Sequence, residues 1–144
     1  MTRLALELPD EYVFSIDLSV RASDINYGGH VGNDKMLGLM QEARIQFYYS
    51  LGIKSELHFE ENVGQIISDA LVIYKAESFM GDILTIQIAV QEVNKYGFDM
   101  VYHVSNKESG KEVARGKTGI VCFDYTKRRV APLPVSLLHR MMNG

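Results

Sequence analysis

The sequence predicts an α+β domain in which one antiparallel sheet of five to six strands buries one long helix. Three observations carry that expectation. Apolar residues between Asn33 and Leu51 recur at helical spacing, as Met36, Met40, Ala43, Phe47 and Leu51. One alternating stretch precedes this segment, and four more follow it with short connections. A lone helix among strands must hide its apolar side on the sheet, so the sheet is predicted to curl around it.

Taken in order, Tyr12, Phe14, Ile16, Leu18 and Val20 alternate with Val13, Ser15, Asp17, Ser19 and Arg21, the pattern of a half-buried strand. The helix runs from Asn33 to Leu51, and Gly52 stops it. Leu37, Leu39, Ile45 and Tyr48 widen its apolar arc, which predicts enclosure on most sides. A polar connection, Lys54 to Asn62, has room for a short helix. Strands are then expected over Gln65–Lys75, Ile83–Val93, Phe98–Ser105 and Glu112–Tyr125. Between the later strands lie Phe79–Asp82, Asn94–Gly97 and Lys107–Gly110, each with a glycine able to take positive φ. Consecutive strands joined this way predict an antiparallel meander. Such a sheet leaves one face and an edge strand uncovered, so self-association as a dimer or tetramer is expected.

The 144 residues favour a single domain over 1–144. A formal net charge of -3 argues against a dedicated nucleic-acid binder. The one cysteine, Cys122, lies in an apolar run and reads as an inert buried thiol; without a second there is no internal disulfide, which fits a reducing compartment. Met1–Pro9 lacks the apolar core of a secretory signal, and no run is long enough to cross a bilayer. A cytoplasmic location with no membrane partner is therefore expected. His58, His103 and His139 show no ligand spacing, so no metal is inferred, and no G-x-S-x-G elbow points to a serine hydrolase.

The chemistry concentrates in SDINYGGHVGNDKMLGLMQEAR, Ser23 to Arg44. A helix N-terminus offers free N–H groups and the positive end of the helix dipole. Gly28, Gly29 and Gly32 let a ligand approach the main chain. An acyl carbonyl seated there would be polarised, and its developing oxyanion stabilised. A nearby carboxylate could serve as base for water, or as nucleophile. Asn33 or Asp34 is expected to cap the helix.

This segment resembles the hallmark of the hotdog-fold acyl-CoA thioesterases of the 4-hydroxybenzoyl-CoA thioesterase-like branch, whose pattern is close to D-x-D-x-x-G-H-V-N-N-x-x-Y followed by a helix with E-x-x-R. Asp24 matches the first aspartate, Gly29-His30-Val31 the G-H-V, and Asn33 the second asparagine; Gly32 replaces the first asparagine and Met36 the tyrosine. Tyr74–Leu84, Gly116–Asp124 and Val130–Pro134 resemble the family's later segments, so the likeness runs from Tyr12 to Pro134. It implies hydrolysis of an acyl-CoA or acyl-ACP thioester without a separate cofactor, coenzyme A being part of the substrate. The main departure is Asn26, which stands where the family's usual catalytic aspartate would be and cannot act as a base. Another carboxylate should then act: Asp34 and Asp24 are the nearest in sequence, Asp69 on the strand after the helix is a third option, and Asp34 ranks first because it lies beside the expected oxyanion site. Asn26 and His30 complete the catalytic set, with Tyr27, Gly28, Gly29, Val31, Gly32, Asn33 and Asp69 against the substrate.

Each residue also has a plainer reading. Asp24 either closes a turn or pairs with Arg21 or Arg44; Asp34 is an early-helix acid; His30 bonds loop backbone; Asn26 tolerates a left-handed conformation. Glu42 and Arg44 read as structural, with Arg44 reaching a loop carbonyl. Lys127-Arg128-Arg129 is either a solvated turn or a contact for coenzyme A phosphates. The rival functions are a non-catalytic acyl-CoA binding or sensing module, favoured by Asn26, and a hydratase, whose motif is not seen.

Overall fold

The computed structural model describes residues 3–143. The chain order is β1 (Phe14–Ser19), a single 3-10 turn (Ala22–Asp24), α1 (Asn33–Ser50), β2 (Val63–Tyr74), β3 (Ile83–Asn94), β4 (Gly97–Asn106), β5 (Glu112–Asp124), β6 (Arg129–Val130) and α2 (Val135–Asn143). The strands form one antiparallel sheet in the order β1-β3-β4-β5-β2, with the short β6 added to β5.

Strand register explains how the sheet receives the helix. Phe14, Ile88, Tyr102, Gly116 and Val72 pair successively across the five strands, as do Ile16, Ile86, Val104, Ala114 and Tyr74. Paired residues share a face. These rows belong to the face that meets Met36, Leu39, Met40, Ala43 and Phe47 of α1 in one apolar cluster. Gly116 marks where helix and sheet are closest, since a Cβ there would overlap the Met40 side chain. The opposite face is more polar: Asp17 binds Lys107, Glu112 binds His103 and Arg115, and Lys117 lies between Asp69 and Asp99. Part of it is covered by the N-terminal segment, whose Leu6 carbonyl accepts from Arg115 and whose Tyr12 ring stacks on His103.

The meander expectation holds for β3, β4 and β5 only. β2 does not pair with β3; it crosses to the far edge and pairs with β5. No helix forms between Lys54 and Asn62, which is a series of turns ending with Asn62 at φ 65°. Gly81 and Gly110 take positive φ, but Gly97 does not; a side chain there would overlap the Ile120 carbonyl oxygen, so close strand contact demands the glycine. Enclosure of α1 is also narrower than its composition predicts. Lys35, Gln41, Glu42 and Gln46 interrupt the apolar arc, and Leu37 and Tyr49 stay exposed with them. The unanticipated α2 buries Leu137 and Met141, while its Arg140 donates to the Leu51 carbonyl at the C-terminal end of α1. No helix of the described residues is long and apolar enough to cross a membrane.

Arg44 lies on the buried side of α1, 4% exposed. It reaches a carboxylate rather than the expected loop carbonyl: Nε donates to Glu56 Oε2 at 2.7 Å and Nη1 to the Tyr102 hydroxyl at 3.0 Å. Tyr102 passes the chain to Thr118 at 2.8 Å, and Gln65 joins Glu56 to the Tyr48 hydroxyl. This network ties the helix to β2, β4, β5 and the turn at Glu56. Removing one member of a buried ion pair strands the other's charge. Arg44→Ala is therefore expected to lower stability by about 3 kcal/mol, near the low end for buried pairs because Glu56 reaches solvent. Urea unfolding would show it as a lower midpoint with an unchanged slope.

Candidate functional site

The loop before α1 is a tight hairpin. Ile25 and Val31 form an isolated antiparallel bridge, Asn26 N–H donates to the His30 carbonyl, and Gly29 N–H donates to the Asn26 carbonyl. Asn26 Oδ1 accepts from Gly28 N–H at 2.9 Å, an Asx turn rather than the left-handed conformation it could tolerate. Gly29, at φ 80°, takes that conformation instead.

Two main-chain bonds fasten the hairpin to the helix entrance. Val31 N–H donates to the Ser78 carbonyl at 2.8 Å, and Gly32 N–H donates to the Asp24 carbonyl at 3.1 Å. Gly32, not Asn33 or Asp34, is the N-cap, and no side chain caps the helix. This corrects the capping expectation: both residues already lie in the first turn of the helix, one and two positions beyond the cap. Lys35 and Met36 N–H groups bond back to the Gly32 carbonyl. The N–H groups of Asn33 and Asp34 have no acceptor among the described residues, so two orphan donors sit at the positive end of an 18-residue helix.

Asp34 stands over this entrance: a Cβ built on Gly32 would lie 2.9 Å from Asp34 Oδ1 and 3.7 Å from Asn26 Cβ. Asn26, Tyr27, Gly32, Asp34 and Lys35 line a shallow cavity of about 350 Å³. On the other side of the entrance, His30, Val31, Asn33 and Met36 meet Tyr74, Glu77 and Ser78 around a cavity of about 230 Å³. His30 Nδ1 lies 3.2 Å from the Val31 carbonyl, which can only accept, so Nδ1 is the donor in this contact. A third cavity, about 470 Å³, shares Lys35 with the first and is bordered by Arg21, Asp24, Gly38 and Glu42.

Asp24 is otherwise engaged. It is 3% exposed and its carboxylate accepts from Arg21 N, Nε and Nη2 at 2.9, 3.3 and 3.2 Å. Burial pushes its pKa up, but the Arg21 bonds and charge, with Lys35, together outweigh burial and hold it below the ordinary value. Asp69 is not brought to the entrance within one chain. It pairs with Gly119 on the face turned from the helix, 3.4 Å from Lys117. Lys127–Arg129 also lies elsewhere, Lys127 and Arg128 in the turn after β5 and Arg129 opening β6; in that turn Asp124 accepts from Thr126 and Lys127 N–H. From Ala114, beside Tyr74, β5 runs roughly 33 Å to that turn. Cys122 is buried, and burial followed by the Glu60 charge pushes its thiol up to about 12.

Sequence reading missed Tyr74, Glu77 and Ser78. Tyr74 donates to the Asn33 carbonyl at 2.6 Å, and burial, then the Asp34 charge, raises its pKa. A cue did exist, since these residues stand in the bend before Gly81-Asp82. Nothing local, however, says that the bend lies against a helix some forty residues upstream.

A model of the thioesterase-like superfamily matches residues 20–141. No curated protein matches the chain. Among solved structures, a 1,4-dihydroxy-2-naphthoyl-CoA thioesterase from Synechocystis superposes with a TM-score of 0.82 at 23% identity, over 90% of this chain and 96% of that one. A gentisyl-coenzyme A thioesterase gives 0.78 at 22% identity, over 89% and 99%. A hypothetical protein from Staphylococcus aureus, solved in complex with CoA, gives 0.82 at 13% identity, over 96% and 87%. At these identities the structures establish the shared hotdog fold.

Depression of the Asp24 pKa has a consequence for stability. A carboxyl held below its unfolded value favours the folded state above about pH 4, and that contribution disappears as pH falls through the folded value. Asp24→Asn is expected to be less stable than the parent at pH 7. The gap should close below about pH 4, as read by thermal unfolding across pH. Taken together, the family match over most of the chain and the shared fold show that this protein belongs to the thioesterase-like superfamily.

Proposed function

We propose that the protein hydrolyses an acyl-CoA thioester at the N-terminus of α1. The observation that carries this reading is the uncapped helix start: the Asn33 and Asp34 N–H groups are unbonded, and the Asp34 carboxylate lies beside them. In the proposed reaction the thioester oxygen takes those two donors. Asp34 accepts a proton from water as the water oxygen bonds to the carbonyl carbon. Collapse of the tetrahedral intermediate breaks the carbon–sulfur bond, Asp34 returns its proton to the leaving sulfur, and coenzyme A thiol and free acid are released. Donors already aimed at the developing oxyanion need no reorganisation during the step. Asn26, which has no proton-accepting carboxylate, is assigned to holding the water or the substrate through its amide.

Structural neighbours support the same reading: two are thioesterases of 1,4-dihydroxy-2-naphthoyl-CoA and gentisyl-CoA, and a third was solved in complex with CoA. We also assign self-association to β2, a 12-residue edge strand with Ile66, Ile67 and Tyr74 exposed. A long edge of this kind is ordinarily covered. Sedimentation at micromolar concentration should return at least twice the chain mass, and a monomer would refute the pairing.

The catalytic assignment is tested by thiol release from a panel of acyl-CoA esters. Asp34→Asn should lower kcat by about 10²- to 10⁴-fold, the usual contribution of a positioned base, with KM little changed. An unchanged kcat would remove Asp34 from the mechanism. Stoichiometric acyl-CoA binding by the parent protein without any thiol release would instead establish the binding-module reading that Asn26 favours.

A further inference from the structure

Tyr74 closes β2 against the first turn of α1, and its hydroxyl donates to the Asn33 carbonyl at 2.6 Å. Helix geometry alone does not call for that bond. An α-helix already directs the N–H of the residue four positions on, here Leu37, at this carbonyl. A carbonyl oxygen has two lone pairs, and a side chain 41 positions along the chain takes the second.

The peptide unit it loads is a particular one. The Asn33 carbonyl and the Asp34 N–H are the two ends of one planar amide. That N–H is one of the two helix-start donors with no acceptor among the described residues. Resonance couples the two ends: a donor at the oxygen draws electron density from nitrogen and leaves the N–H proton more positive. Hydrogen bonds in series polarise one another in this way, by about 10–30% per bond. A bond at the oxygen also fixes the rotation of the amide plane, and with it the direction of the N–H.

The neighbouring free donor shows what Tyr74 adds. Asn33 N–H shares its amide with the Gly32 carbonyl, which accepts from Lys35 and Met36 N–H at 3.0 and 3.3 Å. Backbone therefore loads the first amide of the entrance twice. In the second amide backbone supplies one donor, and the phenol supplies the other. Burial first, and then the Asp34 charge, keep the Tyr74 hydroxyl protonated by raising its pKa above the ordinary value.

We propose that Tyr74 is a positioning residue for the thioester reaction: by donating to the Asn33 carbonyl it aims and strengthens the Asp34 N–H as a donor to the oxyanion. The inference rests on the thioester reading of this helix end and adds to it a side chain that acts through the main chain.

Two readouts test it in the whole protein. Tyr74→Phe keeps the ring as a cavity wall and removes only the hydroxyl. Thiol release from butyryl-CoA and benzoyl-CoA should show kcat lowered about three- to tenfold with KM unchanged. That lies below the roughly 10²- to 10³-fold cost of deleting an oxyanion donor, because the donor stays and is only weakened. The second readout is the infrared carbonyl stretch of butyryl- and benzoyl-dethia-CoA, isotope-labelled at the carbonyl. In these ketones a methylene replaces the sulfur, so no hydrolysis follows. On the parent protein the bound ketone should absorb at lower frequency than in buffer, and on Tyr74→Phe it should move back toward the free value. A purely structural tyrosine would lower the melting temperature and leave the frequency and kcat of the folded variant unmoved.

The same frequency on parent and Tyr74→Phe, or a defect confined to KM, would overturn the proposal and spare hydrolysis. A parent frequency equal to that in buffer would overturn both, since the carbonyl would then not lie at the helix end. A frequency set by Tyr74 in a protein that releases no thiol would uphold the positioning role and sink hydrolysis.

Discussion

Two main-chain hydrogen bonds, Val31 N–H to the Ser78 carbonyl and Gly32 N–H to the Asp24 carbonyl, set the position of everything at the entrance to α1. They come from opposite sides, one from the bend between β2 and β3 and one from the 3-10 turn after β1. Both acceptors are on residues that are themselves buried. The last two residues before the helix are thereby saturated, and the next two N–H groups are left over. A side-chain cap of the usual serine or aspartate type would have consumed one of them. Glycine at the cap position is what keeps both donors available, and it also leaves room for the Asp34 carboxylate to lie close to the main chain.

The two aspartates at this entrance show how surroundings divide labour between like groups. Asp24 is enclosed and receives three donors from Arg21, so its charge is spent on holding the 3-10 turn and, through its carbonyl, Gly32. Asp34 is exposed at the mouth of a cavity and makes no side-chain hydrogen bond among the described residues. A carboxylate that must take and return a proton needs that freedom, whereas one that anchors a loop needs the opposite. The same contrast applies to the two amide-bearing residues. Asn26 is locked in its Asx turn through Oδ1, which leaves its NH₂ as the group turned to solute, and Asn33 lends its carbonyl to Tyr74 while its N–H stays free.

Local pattern was enough to locate α1, the first strand and the cores of the four later strands, because periodicities of 3.6 and 2 are properties of neighbouring residues. The concentration of Asp24, Asn26, His30 and Asp34 ahead of a helix was legible for the same reason, all four lying within eleven residues. What escaped depends on pairing between distant segments. Nothing near β2 says that it will cross to β5 instead of folding back on β3, so neither the edge it forms nor the placement of the bend at Ser78 could be read. α2 escaped because its nine residues follow two prolines in a segment that reads as a closing loop. The Arg44 network escaped because its partners, Glu56, Gln65, Tyr102 and Thr118, come from four separate stretches.

The misplacement of Asp69 has a more specific cause, and it bears on the site. Gln65 faces the helix, bonding Tyr48, and strict alternation would put residues 67, 69, 71 and 73 on that same side. A bulge between Ile67 and Asp69 inserts Ser68 as an extra residue, and a single insertion exchanges the two faces for the remainder of the strand. Asp69 consequently pairs with Gly119 and meets Lys117 on the far side, while Val72 and Tyr74 turn inward opposite Gly116 and Ala114. The irregularity that removes one candidate carboxylate from the entrance is therefore the one that delivers the Tyr74 hydroxyl to the first turn of α1. Without it the phenol would point away from the helix, the cavity beside Ser78 would lose one wall, and the Asn33 carbonyl would lose its donor. A bulge in an edge strand re-aims side chains at little expense, because only one neighbouring strand has to accommodate the extra residue. Here that edge is next to the helix end, so a one-residue change in strand register sets which polar groups face the proposed substrate.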